Sequence, residues 1–268
     1  MRLALLDSIT DATPDDRGAV GVSGSHGGLY AAACATRADL VAAVFNDAGG
    51  GLDNAGVAGV AALDQVGMAG MAVSHNSAEI GSAHDTLECG VISFVNETAR
   101  AVGLKTGVRL AEQTRLLQNV PKPKARLKGA GEVRAEKTLA TGQQVLCVDS
   151  AALITPEDEG RIILTGSHGG LIDGDPARAC KAQAGFVVFN DAGGGKNGVG
   201  FSRLPALDLR EVPAAMVDRR SARIGDAIST LQTGVLSAVN EAAFDLGFRP
   251  EKPLLRQLER LAARVAQP

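Results

Sequence analysis

Two stretches of this chain repeat the same chemically capable side chains. Ser25 and His26 lie in the string GSHGG, and Ser167 and His168 lie in an identical string. Asn46 and Asp47 open NDAGGG, and Asn190 and Asp191 open it again. Imidazole titrates near neutrality, so a histidine in a glycine-rich loop suits general acid–base work. A serine becomes a nucleophile when a base lies within reach, and an aspartate can orient or be that base. Ser25, His26, Asp47, Ser167, His168 and Asp191 are therefore the candidate catalytic groups, with His26 leading. The competing reading makes the serines helix caps and the glycines tight turns. Turns alone do not account for Ser, His, Asn and Asp recurring together, so the functional reading is preferred.

The neighbouring residues suit substrate binding. Gly27, Gly28, Gly49, Gly50, Gly169, Gly170, Gly193 and Gly194 let backbone N–H groups approach a ligand, and Asn46 and Asn190 add amides. A further motif diverges: SHNSAEIGSAHD in one copy, DRRSARIGDAIS in the other. Ser77 and Ser221 persist and read as caps of the following helix. Arg223 replaces Glu79, Arg219 replaces His75 and Arg220 replaces Asn76. Arginine suits carboxylate or phosphate, so Arg223 is the expected anion anchor. His75, His84 and Glu79, with His26 and Asp47, have the donor types of metal ligands, but their spacing fits no metal motif. The sequence has no phosphate-loop lysine motif, dinucleotide fingerprint or nucleophile elbow. No metal and no cofactor are expected.

The elements that position these residues follow from the repeat. An offset of 142 carries Asp7-Ser8, Thr13-Pro14 and Ser25-His26 onto Asp149-Ser150, Thr155-Pro156 and Ser167-His168. After a two-residue insertion, an offset of 144 carries Asp47, Leu63-Asp64, Ser77 and Asn96-Glu97 onto their counterparts. The chain thus reads as a tandem duplication: residues 1–104, a basic linker 105–142 with a short helix near Val108–Leu117, residues 143–248, and a C-terminal amphipathic helix within 249–268. That helix puts Leu254, Leu258, Leu261 and Val265 on one face. Such a period is too long for a solenoid. Two similar lobes related by a pseudo-two-fold axis are expected, with a composite site in the cleft between them.

Within the first copy, RLALLDS, AVGVSGS, LVAAVFND and MAGMAVS are apolar runs of strand length. They alternate with the helical stretches LYAAACATRA and VAGVAALDQV, and Ile80 to Val102 reads as a longer helical stretch. TPDD and TPEDE read as helix starts, with proline at the first position. The fold class is α/β, each lobe a mainly parallel sheet flanked by helices. Every motif then falls at strand carboxyl ends, where open parallel sheets bind ligands. The prolines of PKPKARLKGAG rule out helix, and that basic run reads as exposed, solvated linker.

Composition narrows the function. The chain has 268 residues, 45% hydrophobic but only 3% aromatic, with no Trp and a net charge of −3. Too few rings are present for a base-stacking platform, and the charge is too small to favour nucleic acid or membrane. The opening MRLALL is too short for a signal-peptide core. Cys34, Cys89, Cys147 and Cys180 sit singly in apolar segments and read as buried free thiols, which points to the cytoplasm. In its repeat plan the chain is similar to ring-opening amidohydrolases, which carry one serine per copy. Those have three copies and pair Ser with Lys, and no Lys stands in the repeated motifs here. The expected function is hydrolysis of an amide or cyclic amide C–N bond in a small polar or anionic metabolite, at strand carboxyl ends in or near the inter-lobe cleft. The alternatives are a cofactor-free isomerase, racemase or lyase, and a non-catalytic ligand-binding or regulatory module. A homo-oligomer is compatible with the sequence.

Overall fold

Unbroken apolar runs make strands buried on both faces. In the computed structural model, which describes residues 1–128 and 131–265, the first such set is β1 (Leu3–Leu6), β2 (Val20–His26), β3 (Ala42–Asn46) and β4 (Ala69–Val73). These run parallel in the order β1-β2-β3-β4, and β5 (Ile92–Val95) pairs antiparallel with β4. A second sheet follows: β6 (Arg134–Thr138), β7 (Gln144–Val148), β8 (Ile162–His168), β9 (Phe186–Asn190), β10 (Ala214–Val217) and β11 (Leu236–Val239). Strands β7 to β10 are parallel, and β6 and β11 are antiparallel edges. The fold is α/β with two mainly parallel sheets. The second repeats the strand order of the first, consistent with the sequence repeat, and adds β6.

The chain divides into two units. One is Met1–Gly131 with two later segments, Ile172–Gly174 and Gly194–Val199; the other is Glu132–Leu171, Asp175–Gly193 and Gly200–Pro268. In the first unit, α1 (Leu29–Arg37) and α2 (Ala58–Ala62) cover one sheet face, where Phe45, Val60 and Leu63 meet Ala31, Ala32 and Ala35. On the other face α3 (Ala83–Cys89), α4 (Glu97–Ala101) and α5 (Leu110–Gln113) surround Val20, Val22 and Val44. The alternation of Val44 and Phe45 between the two cores is the period of a strand. In the second unit α6 (Arg203–Asp208) lies on one face, and α7 (Ala227–Thr233), α8 (Glu241–Asp245) and α9 (Leu254–Val265) lie on the other. Leu254 and Leu258 are buried and Leu261 packs beside them, as the amphipathic pattern predicts; the side chain of Val265 lies outside the described residues.

The structure corrects several local expectations. Ile80–Val102 is not one helix. Gly90 ends α3, and the β-branched run around Ile92 and Val95 forms β5 before Asn96 starts α4. The linker is not merely solvated. Arg134–Thr138 joins the second sheet as β6, Lys124 N–H donates to the Val66 carbonyl, and Leu127 packs on the first core. Thr13-Pro14 and Thr155-Pro156 do start helical turns, each with a reciprocal capping box, but the turns are single and 3₁₀. Three cysteines are buried, and Cys89 is exposed at the end of α3. Among the described residues no helix is long and apolar enough to cross a membrane.

Among the described residues the second copy has no counterpart of α1. Two 3₁₀ turns, Ile172–Gly174 and Pro176–Arg178, take its place in the chain. Arg203 stands where the first copy has Gly59. Its buried guanidinium donates to the carbonyls of Gly170 (3.2 Å), Arg178 (3.0 Å) and Ala179, and it lies over the Phe189 ring. Burial lowers its pKa to about 10.

The first glycine of each GSHGG has a steric reason. A Cβ on Gly24 would lie 2.4 Å from the Ser82 nitrogen, and one on Gly166 would lie 2.4 Å from that of Asp226. The loop after the fourth strand crosses here, and Gly81 N–H and Gly225 N–H bond the Gly24 and Gly166 carbonyls. Gly24→Ala is expected to lower the free energy of unfolding by about 2 kcal/mol or more, an overpacking cost. Urea melts against Gly131→Ala, whose Cβ would meet nothing within 4 Å, check this; equal stabilities would contradict the steric reading.

Candidate functional site

The carboxyl ends of β3 and β4 are built first by Asn46. Its side chain is fully buried; Nδ2 donates to the Ala78 carbonyl (3.0 Å) and Oδ1 accepts from Ala48 N–H (2.9 Å). Asn190 repeats both bonds with Ala222 and Ala192. This ties the third strand's end to the loop after the fourth. The chain then runs left-handed through Ala48, Gly49, Gly50 and Gly51, with φ of 48°, 68°, 74° and 69°. Ala192 to Gly195 do the same. Side chains rarely adopt this region, which explains the glycine run without invoking a ligand.

Asp47 is the hub of this end. Its Oδ1 accepts from Gly49 N–H (2.8 Å), His75 N–H (2.9 Å) and the His75 ring Nδ1 (3.0 Å). Burial opposes its ionisation, but the His75 and Gly49 donors outweigh that and hold the carboxyl below the usual carboxylate range. Because the carboxylate accepts, Nδ1 carries the ring proton and Nε2 is the basic nitrogen of His75. Both side chains are mostly buried. Asp191 accepts from Gly193 N–H and Arg219 N–H in the same way, but arginine replaces the histidine there.

A segment from the second copy completes the cluster. Gly194–Val199 packs as part of the first unit. Lys196 N–H donates to the His75 carbonyl (2.7 Å), and its Nζ lies 2.6 Å from Asp85 Oδ1. Asn197 Nδ2 donates to Glu79 Oε1 (2.7 Å), and Glu79 N–H donates to Asp85 Oδ2 (2.7 Å). Burial disfavours the Asp85 charge, yet Lys196 and the Glu79 N–H hold its pKa low, and Asp85 in turn raises that of Lys196. Residues from both copies therefore meet in one polar cluster: Asp47, His75, Glu79, Asp85, Lys196 and Asn197. The sequence singled out Asp47, Glu79 and His75. It missed Lys196, Asn197 and Asp85, although GGGKNG in place of GGGLDN was the available signal.

Other candidates hold the scaffold. Ser25 Oγ accepts from Ile9 N–H (3.0 Å) and Ser167 Oγ from Ala151 N–H (2.8 Å). Neither hydroxyl bonds a histidine among the described residues, so no serine–histidine nucleophile is assembled. Ser77 and Ser221 are not helix caps. Ser77 donates to the Ser74 carbonyl and accepts from Val91 N–H, and Ser221 bridges Asp218 and Val235 likewise. Ser82 and Asp226 are the caps, of α3 and α7. Gly27 and Gly169 donate to the Asn46 and Asn190 carbonyls, Gly170 accepts from Arg203, Gly50 accepts from Gly56, and Gly194 begins the inserted segment. His168 is buried at the end of β8, in register with Asn190. Arg223 is half exposed, with Nη1 3.9 Å from Asp226. His84 is exposed on α3, and among the described residues no three His, Cys, Asp or Glu come together as a metal set.

His26, expected to lead the acid–base chemistry, is tied into the turn that follows β2. Its Nδ1 accepts from Gly28 N–H (3.2 Å), and burial lowers its pKa from 6.5 to about 4. It is therefore neutral at physiological pH, with its proton on Nε2. No family model, curated protein or solved structure matches this chain.

The lowered pKa has a consequence for stability. Unfolded His26 protonates near 6.5 and folded His26 near 4. The contribution of neutral His26 is full above pH 6.5 and is lost as pH falls towards 4, by up to roughly 3 kcal/mol. Urea unfolding at pH 7.0 and 4.5 should show a smaller loss for His26→Gln than for the wild type. An identical loss in both would show that His26 is not the group responsible.

Proposed function

We propose that the protein is an enzyme that hydrolyses a C–N bond in a small polar amide or cyclic amide, with His75 as general base. The observation that carries this reading is the Asp47–His75 pair, 3.0 Å apart and mostly buried at the carboxyl ends of β3 and β4. Asp47 fixes the ring and stabilises the imidazolium that forms when Nε2 takes a proton from water. The resulting hydroxide attacks the carbonyl carbon, and His75 returns the proton to the departing nitrogen. Lys196, whose backbone N–H bonds the His75 carbonyl, puts a cation on Asp85, and Asn197 and Glu79 offer polar groups for orienting an anionic or amide substrate. Asp85 keeps Lys196 charged, so its cation persists through the neutral range.

A second reading is favoured by one observation: no serine hydroxyl is set against a histidine among the described residues. A single base with no nucleophile also suits proton transfer at carbon, as in a cofactor-free isomerase or lyase. A panel of small linear amides, cyclic amides and 2-substituted carboxylates separates the two. Under the hydrolytic reading, ¹⁸O from solvent water enters the carboxylate product. Under the other, solvent deuterium enters a C–H position.

For whichever substrate is turned over, Asp47→Asn should lower kcat about 10²- to 10⁴-fold and His75→Gln about 10³-fold, with both variants still folded by circular dichroism. Lys196→Met should act mainly on KM. Retention of full turnover in His75→Gln would remove the acid–base assignment. Saturable binding with no turnover of any panel member would favour a ligand-binding module.

A further inference from the structure

An open cavity of about 710 Å³ lies on the first unit, away from the Asp47–His75 cluster. It runs beside α1, between the turns after β1 and the loop before β3. Ile9, Ala12, Pro14 and Tyr30 supply apolar wall, and Arg17, Arg37, Arg126 and Asp39 supply charge. Such a volume accommodates a small metabolite.

The arginines are held in place. Asp39 Oδ2 accepts from Arg17 Nε (3.1 Å) and Nη2 (2.7 Å), and its Oδ1 accepts from Arg126 Nε (3.0 Å) and Nη2 (2.7 Å). Both guanidiniums thus spend one edge on a single carboxylate. Among the described residues the Nη1 groups of Arg17 and Arg126 have no acceptor. Arg37 is fixed separately, with Nη2 3.0 Å from Cys34 Sγ and its guanidinium 5.0 Å over the Tyr30 ring. Arg126 comes from the linker, which is anchored at this point by Leu127 N–H on Thr36 Oγ1 (3.2 Å). The cavity lining therefore sets three guanidiniums against one carboxylate, an excess of two positive charges. Ordered guanidiniums with unused N–H edges match the oxygens of a dianion, and a phosphomonoester carries that charge near neutrality.

We propose that this cavity binds the phosphate group of a small phosphorylated metabolite, with Arg17, Arg37 and Arg126 as its ligands and the carbon skeleton against Ile9, Ala12 and Tyr30. The site is independent of the acid–base cluster, so binding here neither requires nor reports turnover there.

Calorimetric titration of the full chain with ribose 5-phosphate, adenosine 5′-monophosphate and inorganic phosphate tests it. At least one of the two esters should bind saturably, at one per chain and more tightly than inorganic phosphate. Arg37→Gln and Arg126→Gln should each weaken that ester at least 10-fold, while Arg100→Gln, on the exposed Glu97 pair, should change it less than twofold. Thermal melts should show both cavity variants folded, since they alter exposed side chains. No saturable binding of either ester at millimolar concentration overturns the proposal, as does binding that the cavity variants leave unchanged. Binding of inorganic phosphate as tightly as the esters would overturn the role of the apolar wall.

Discussion

One carboxylate oxygen organises the end of the first sheet. Asp47 Oδ1 takes the N–H of Gly49, the N–H of His75 and the His75 ring. The first bond turns the chain into its left-handed glycine run, and the other two fix the start of the loop after β4. With Asn46 beside it tying Ala48 to Ala78, the ends of two adjacent strands become one rigid corner. A buried carboxylate is tolerable only when its lone pairs are satisfied, so losing these donors would cost both the corner and the charge.

The two copies show which residues serve the corner and which serve what it presents. Ser25 and Ser167, Asn46 and Asn190, Ser77 and Ser221 each make the same bonds in both copies. Their recurrence is explained by the architecture. The divergent positions change the chemical groups instead: His75 against Arg219, Glu79 against Arg223, Asp85 against Ser229. Ser229 Oγ accepts from Arg223 N–H where Asp85 accepts from Glu79 N–H. The exchange keeps the loop's hydrogen bond and adds a charge, which Lys196 then meets.

The strand order also matters. Ligand crevices in open parallel sheets commonly form where the strand order reverses and helices diverge. Here β1 to β4 follow one another without reversal, so they offer no such switch point. The polar cluster is assembled by loops at the strand ends, including a segment that arrives from the second copy. The linker likewise contributes to the first unit, carrying Arg126 to Asp39.

By itself the sequence determined the α/β class, the parallel strands β1 to β4, the repeated motifs and the amphipathic C-terminal helix, because each rests on local periodicity or on self-similarity. It also marked the strand ends as the place of interest. It could not separate Ser25 from His75, because both are polar residues at strand ends, and only packing shows that one hydroxyl serves Ile9 N–H while one imidazole meets Asp47. It read β5 as helix because four residues are too few for periodicity to register against the helices on either side. It missed Lys196 and Asp85 as a pair because they stand 111 residues apart, and no local pattern encodes a contact of that span. The setting of His26 depends on burial and on the Gly28 N–H, which exist only once the strand, the turn and α1 have come together.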